Sequence, residues 1–204
     1  MDKVPYDPTL IDRFAHAAKL AHGRRVLDIG GQHPRNHDIT HPFGVSYRKI
    51  ADASSAYEVF DRDSKPGVKY VGDLNQKEGR ERLAAALRDY KPETIFCMEI
   101  LEHLNYPCEI MDLLSDYLLS NKDATLFLTI PNNGSWVLNA LNWHTDHNVA
   151  FFKSIASRFV GRSGLGRCSI IMRPCMQRYK WYWWIIYLAS FCQPFNWGFE
   201  IRAQ

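Results

Sequence analysis

Short apolar runs that each stop at an acid, a glycine or a Pro-Asn pair, separated by segments of helical spacing, constrain this chain more than any other feature. Val26-Leu27 leads into Asp28-Ile29-Gly30-Gly31, YEVFD ends at Asp61, KYVGD ends at Asp73 before Leu74, TIFCM gives way to Glu99, and ATLFLTI closes at Pro131-Asn132. Each reads as a buried strand ending in a turn. Between them, residues 76–90 place Leu83, Ala86, Leu87 and Tyr90 on one side of a helix, and Pro107 to about Leu119 carries Ile110, Met111, Leu114 and Leu118. VSYRKIADASSA is a further helical segment whose start the pattern leaves open. An opening helix is expected at about 8–22, with Asp7-Pro8 as its cap and first position. A helix from about Asn148 to Val160, then CSIIMRP and WGFEIRA, would supply the last two of seven strands. Strands alternating with helices imply an α/β fold with a mostly parallel sheet covered on both faces.

A chain of 204 residues suits one domain with a full-sized core, although it also fits one module of a larger polypeptide. The 46% hydrophobic and 23% charged fractions are those of an ordinary globular protein. The start, MDKVPYDPTL, has no apolar stretch of the kind a signal peptide needs. Five scattered cysteines without a C-x-x-C pair point to a reducing, cytoplasmic setting.

The net charge of +3 conceals a division, because residues 153–204 carry eight Lys/Arg against the single acid Glu200, leaving an acidic remainder. The same end holds 11 of the 27 aromatic residues, concentrated in RYKWYWWIIYLASFCQPFNW. Its apolar core, Trp181 to Cys192, has 12 residues, too few for the roughly 20 that span a bilayer. Two readings stay open: a face for nucleic acid, an anionic membrane surface or a glycan, or aromatics that fill a core beneath solvated charges.

CMEILEHLNYP, residues 97–107, can bring three metal ligands to one mouth. If a helix starts at the strand's end, Glu99, Glu102 and His103 share a face, and their oxygen and imidazole donors suit Mg²⁺ or Mn²⁺. The alternative is a Glu that caps and a His that packs.

Taken in order, VLDIGG, YEVFD, GDL, CMEILEHL and LFLTIPN resemble the motifs of the class I S-adenosylmethionine-dependent methyltransferases over about residues 23–160. The resemblance implies a Rossmann-like sheet of seven strands. In open α/β sheets ligands bind beyond the carboxyl ends of the strands, where these acids and glycines lie. The resemblance assigns Asp61 to the ribose hydroxyls and Asp73 with the Leu74 backbone to the adenine edge. Gly30 and Gly31 admit the methionine part, Asp28 orders that loop, and Glu99 completes the cofactor set. Two departures stand out. Gln32 and Pro34 occupy positions where the family continues with glycines, and the interval from Asp28 to Asp61 is long, so Asp52 and Asp63 remain alternatives to Asp61. A nicotinamide-binding domain would need G-x-G-x-x-G, which Gly30-Gly31-Gln32-His33-Pro34 does not supply.

Methyl transfer to oxygen needs the acceptor held in line and its proton removed. His144-Thr145-Asp146-His147 follows the fifth strand. Either His147 or His144 is the candidate base with Asp146 orienting it, or His147 completes a metal set with Glu99, Glu102 and His103. A third reading has Asp146 capping a helix and His147 packing beside it. Within the family, the Glu-x-x-Glu-His pattern with a distant His is similar to ubiquinone-pathway O-methyltransferases and to small-RNA ribose 2′-O-methyltransferases. Both act on adjacent oxygens, where a bound metal would lower the pKa of the attacked hydroxyl. The Trp/Tyr-rich end, suited to stacking on sugar C–H faces, makes a sugar or glycan hydroxyl the first expectation. A quinone-type catechol at a membrane surface comes second and RNA third. The expectation from another class is a cofactor-holding interaction module without catalysis of its own.

Overall fold

The structure, a computed structural model, describes residues 4–31, 42–133, 148, 152–176, 194 and 196–204. The elements are β1 (Ile11–Asp12), α1 (Arg13–Ala21), β2 (Arg25–Ile29), α2 (Pro42–Ala53), β3 (Ala56–Asp61), β4 (Tyr70–Val71) and α3 (Lys77–Tyr90). They continue with β5 (Thr94–Met98), α4 (Pro107–Ser120), β6 (Thr125–Pro131), α5 (Lys153–Arg162), β7 (Ser169–Met176) and β8 (Asn196–Arg202). Short 3₁₀ turns lie at Leu101–His103 and Gly164–Arg167.

All the strands join one sheet in the order β1-β7-β8-β6-β5-β2-β3-β4. Every pairing is parallel except those of β8, which runs antiparallel to both β6 and β7. The sheet therefore has the expected strands plus the two-residue β1 at its edge. β5 and β6 are buried along their whole length, which is why they read as continuous apolar runs rather than alternating ones. The threonines in these runs are partnered: Thr94 donates to the Leu20 carbonyl at 3.1 Å, and Thr125 accepts from Arg24 at 3.2 Å.

Side chains alternate across the sheet and build two cores. Leu27, Ile29, Ile95, Cys97, Leu126 and Leu128 pack with α3, α4 and α5, whereas Val26, Phe96, Met98 and Phe127 pack with α1 and α2.

The opening helix starts later than the sequence pattern suggests. Asp12 is extended and its carboxylate accepts from Ala15 N at 2.9 Å, so Asp12 is the N-cap of α1. Asp7 instead accepts from Thr9 N at 2.9 Å and pairs with Arg173 at 2.8 Å. The cause is tertiary: Asp7 N donates to Met172 O and Met172 N to Pro5 O, both at 2.9 Å, and these bonds hold the segment extended along the sheet edge. The last helix likewise begins at Lys153 rather than near Asn148, whose backbone N–H donates to Glu102 O at 2.7 Å.

Candidate functional site

The chain leaves β2 toward β3 and β4 on one side of the sheet, then returns to β5 and β6 on the other. The reversal opens a crevice between the carboxyl ends of β2 and β5, the place where open α/β sheets bind ligands. Gly30-Gly31 and Glu99 stand on its two sides, and Asp61 ends the neighbouring strand.

Gly30 has φ +75 and donates to Phe60 O at 2.8 Å, and a Cβ there would stand 2.0 Å from Ile100 Cδ1. The turn thus needs glycine for both its conformation and its fit. Asp28 lies beneath it, 1% exposed. Its Oδ2 accepts a hydrogen bond from the Tyr57 hydroxyl, and its Oδ1 is buried without a hydrogen-bond partner among the described residues. Burial pushes the Asp28 carboxyl up to about 7; the Tyr57 hydrogen bond opposes the rise, the Asp61 charge adds to it and Arg13 lowers it. The same burial raises the Tyr57 hydroxyl well above its ordinary value.

Asp61 is half-buried at the end of β3 and its Oδ1 accepts from Asp63 N at 3.1 Å. Of the two alternatives, Asp52 lies on α2 at 3.9 Å from Arg48, and Asp63 pairs with Lys65 at 2.9 Å. Asp73 follows β4 and its carboxylate accepts from Asn75 N at 2.9 Å. Leu74 is buried, and its carbonyl accepts from Arg80 at 3.1 Å. Asn75 in turn accepts from Asn105 N at 2.8 Å, which ties this rim to the loop after β5.

The Glu-x-x-Glu-His segment departs from expectation. No helix starts at the end of β5: Glu99 adopts φ +59, and only a 3₁₀ turn follows at Leu101–His103. A non-glycine residue in that region costs about 1–3 kcal/mol and persists only where its surroundings over-determine it. They do so here, for Glu99 Oε1 lies 3.2 Å from Arg13 Nη1 and accepts from the Thr129 hydroxyl at 2.9 Å, while Oε2 accepts from Asn196 Nδ2 at 2.7 Å. Glu102 is fully buried, whereas the His103 side chain is 40% exposed and its Nε2 lies 3.9 Å from Glu102. The turn therefore does not put Glu99, Glu102 and His103 on one face, and among the described residues no group of three His, Cys, Asp or Glu side chains is placed to hold a metal.

His144, Asp146 and His147 lie outside the described residues, as does most of the aromatic segment at 177–193. Of the described part of that end, Trp197 and Phe199 belong to the core. Its cations are partly compensated within the chain: Arg173 bridges Asp7 and Glu200, and Arg202 pairs with Glu200 at 2.8 Å. Lys153 Nζ sits 3.6 Å from the centre of the Tyr6 ring. Among the described residues no helix is long and apolar enough to cross a membrane.

Four residues of the site escaped the sequence reading: Arg13, Tyr57, Thr129 and Asn196. Tyr57 and Thr129 sit inside strand motifs, where a polar side chain passes as ordinary alternation. Arg13, only 3% exposed, carries no sequence mark beyond its place next to a capping Asp.

Solved structures share this fold. A SAM-dependent methyltransferase from Archaeoglobus fulgidus is similar at a TM-score of 0.59 and 12% identity, over 92% of this chain and 91% of that one. The fold is the class I methyltransferase fold. A DUF574 family protein from Streptomyces avermitilis is similar at a TM-score of 0.58 and 14% identity, over 94% of this chain and 80% of that one. The plantazolicin methyltransferase BamL, in complex with a triazolic desmethylPZN analog and SAH, is similar at 0.53 and 11% identity, over 94% and 84%. No family model and no curated protein matches the sequence.

Proposed function

We propose that this chain is an S-adenosylmethionine-dependent O-methyltransferase whose acceptor is a hydroxyl of a sugar, a glycan or another vicinal diol. The observation that carries the reading is the crevice between β2 and β5: a tight glycine turn over a buried carboxyl, with a second carboxylate at the next strand end. The residues fit the cofactor. A Cβ on Gly31 would fill the space beside Asp28, whose Oδ1 has no hydrogen-bond partner among the described residues, and Asp61 offers acceptor oxygens at the rim. Asp61 would hold the ribose diol, Asp73 and the Leu74 backbone the adenine edge, and Glu99 the amino-acid end. The solved fold relatives that act as methyltransferases, one of them with SAH bound, support the same cofactor class.

When bound, the cofactor supplies an electrophilic methyl on a sulfonium, so the chain's own task is alignment and proton removal. His147 or His144, oriented by Asp146, takes the hydroxyl proton. Asn148, the residue after His147, supports this assignment, because its N–H bonds Glu102 O at 2.7 Å and its amide bonds His103 O at 2.8 Å, at the mouth after β5. The Trp/Tyr run at 181–187 supports a sugar, since flat apolar rings stack on C–H faces.

The test is transfer of labelled methyl from S-adenosylmethionine to separate panels of oligosaccharides, catechols and RNA. Label in a sugar that is lost in His147→Ala or His144→Ala is the expected result. Label in a catechol, with binding to anionic liposomes, or in RNA, with binding that falls steeply with salt, would replace the acceptor. Cofactor binding without transfer to any panel would leave an interaction module.

A further inference from the structure

We propose that Arg13, Thr129 and Asn196 form a cradle that positions the Glu99 carboxylate to receive the ammonium of the cofactor's amino-acid end. The inference deepens the methyltransferase reading and rests on it. Glu99 stands at the switch point of the sheet, opposite the Gly30-Gly31 turn, in a backbone conformation (φ +59) that a non-glycine residue adopts only when held there. It is held from three directions. Arg13 comes from the start of α1, Thr129 from β6 and Asn196 from the antiparallel β8, at 3.2, 2.9 and 2.7 Å.

The three holders are themselves fixed. Arg13, Thr129 and Asn196 are 3%, 0% and 4% exposed, and Asn196 lies opposite Pro131 on one side and Cys175 on the other. The Glu99 side chain keeps 27% of its surface open. A carboxylate has about four acceptor positions, and the three donors here leave room for one more from the open side. With a buried guanidinium and two further donors fixing it, the Glu99 carboxylate is anchored in place and keeps an open side for one more N–H donor. A purely structural ion pair would not need the strained backbone at Glu99.

The test is calorimetry with two ligands that differ only at that end: S-adenosylhomocysteine, which carries the amino-acid group, and 5′-methylthioadenosine, which lacks it. Glu99→Gln and Asn196→Ala are expected to weaken S-adenosylhomocysteine by about tenfold or more, the size of a lost charge-assisted hydrogen bond, while methylthioadenosine changes by less than about twofold. Arg13→Met should do the same and Arg13→Lys should restore part of the loss; Thr129→Val serves where Arg13→Met fails to fold. A parallel loss of both ligands in every variant would mean a structural role and overturn the proposal, as would Glu99→Gln with unchanged S-adenosylhomocysteine affinity. Failure of the wild type to bind either ligand would overturn the methyltransferase reading itself, and a wild type that binds both equally would overturn only the role of Glu99.

Discussion

Gly31 faces the Asp28 carboxyl so closely that a Cβ added to it would stand 2.4 Å from Asp28 Oδ2. Asp28 is 1% exposed and its Oδ2 is held by Tyr57, so the carboxyl has little room to retreat. Gly31→Ala is expected to cost about 1–3 kcal/mol, the usual range for overpacking, and to lower the melting temperature measurably. It should also weaken S-adenosylhomocysteine, because the turn that admits the ligand is displaced. A melt and a titration on the same variant check both.

Gly79, in the first turn of α3, makes a comparable contact on the other rim. Its added Cβ would meet the Asp73 carbonyl oxygen at 1.9 Å, and that oxygen is backbone. Alanine would gain about 0.5–1 kcal/mol of helix propensity, which a clash costing about 1–3 kcal/mol outweighs. Gly79→Ala should therefore destabilise the fold and weaken nucleoside ligands. A rise in melting temperature would contradict this.

The pH dependence of Asp28 has a definite sign. Its folded value is raised from 3.8 to about 7, so between those limits the folded state binds more protons than the unfolded one, and stability falls as pH rises. Below the ordinary carboxylate value the penalty is absent; above about 7 it is complete. In Asp28→Asn the fall should vanish, and the variant's stability relative to wild type should grow by on the order of 1 kcal/mol per pH unit across the window. Denaturant midpoints of the two proteins from pH 4 to 8 would show it.

Glu200 behaves in the opposite way. His16 Nε2, 3.3 Å away, is the foremost of the groups that hold its carboxyl at about 2, followed by Arg202 and then Arg173 against the effect of burial. The stability it contributes is present above its ordinary value of 4.5 and is lost as pH falls through about 2. Glu200→Gln should thus be less stable than wild type at neutral pH, with the difference closing in acid. A difference that stays constant from pH 6 to 2.5 would rule out this role.

Much of the fold was legible because β2, β3, β5 and β6 stop at residues that cannot continue a buried strand, and TIFCM matches β5 residue for residue. Tertiary pairing hid the rest. Asp7-Pro8 has every local mark of a helix start, yet backbone bonds to β7 keep that stretch extended and pass the cap to Asp12. Glu-x-x-Glu-His reads as a helical face only if a helix follows β5. The 3₁₀ turn replaces it because Arg13, Thr129 and Asn196, 86, 30 and 97 positions away in the chain, draw the Glu99 side chain to themselves. Such long-range partners leave no periodicity for a sequence to show.

The most direct test is calorimetric titration of S-adenosylhomocysteine into the wild type and Asp61→Ala. Asp61 is half-buried at the end of β3, so its removal should leave the melting temperature nearly unchanged. The expected result is saturable binding to the wild type, weakened by about tenfold to a hundredfold in Asp61→Ala, in keeping with a lost pair of charge-assisted hydrogen bonds. Absence of binding to the folded wild type, or equal binding by both proteins, would contradict the assignment of this crevice to the cofactor.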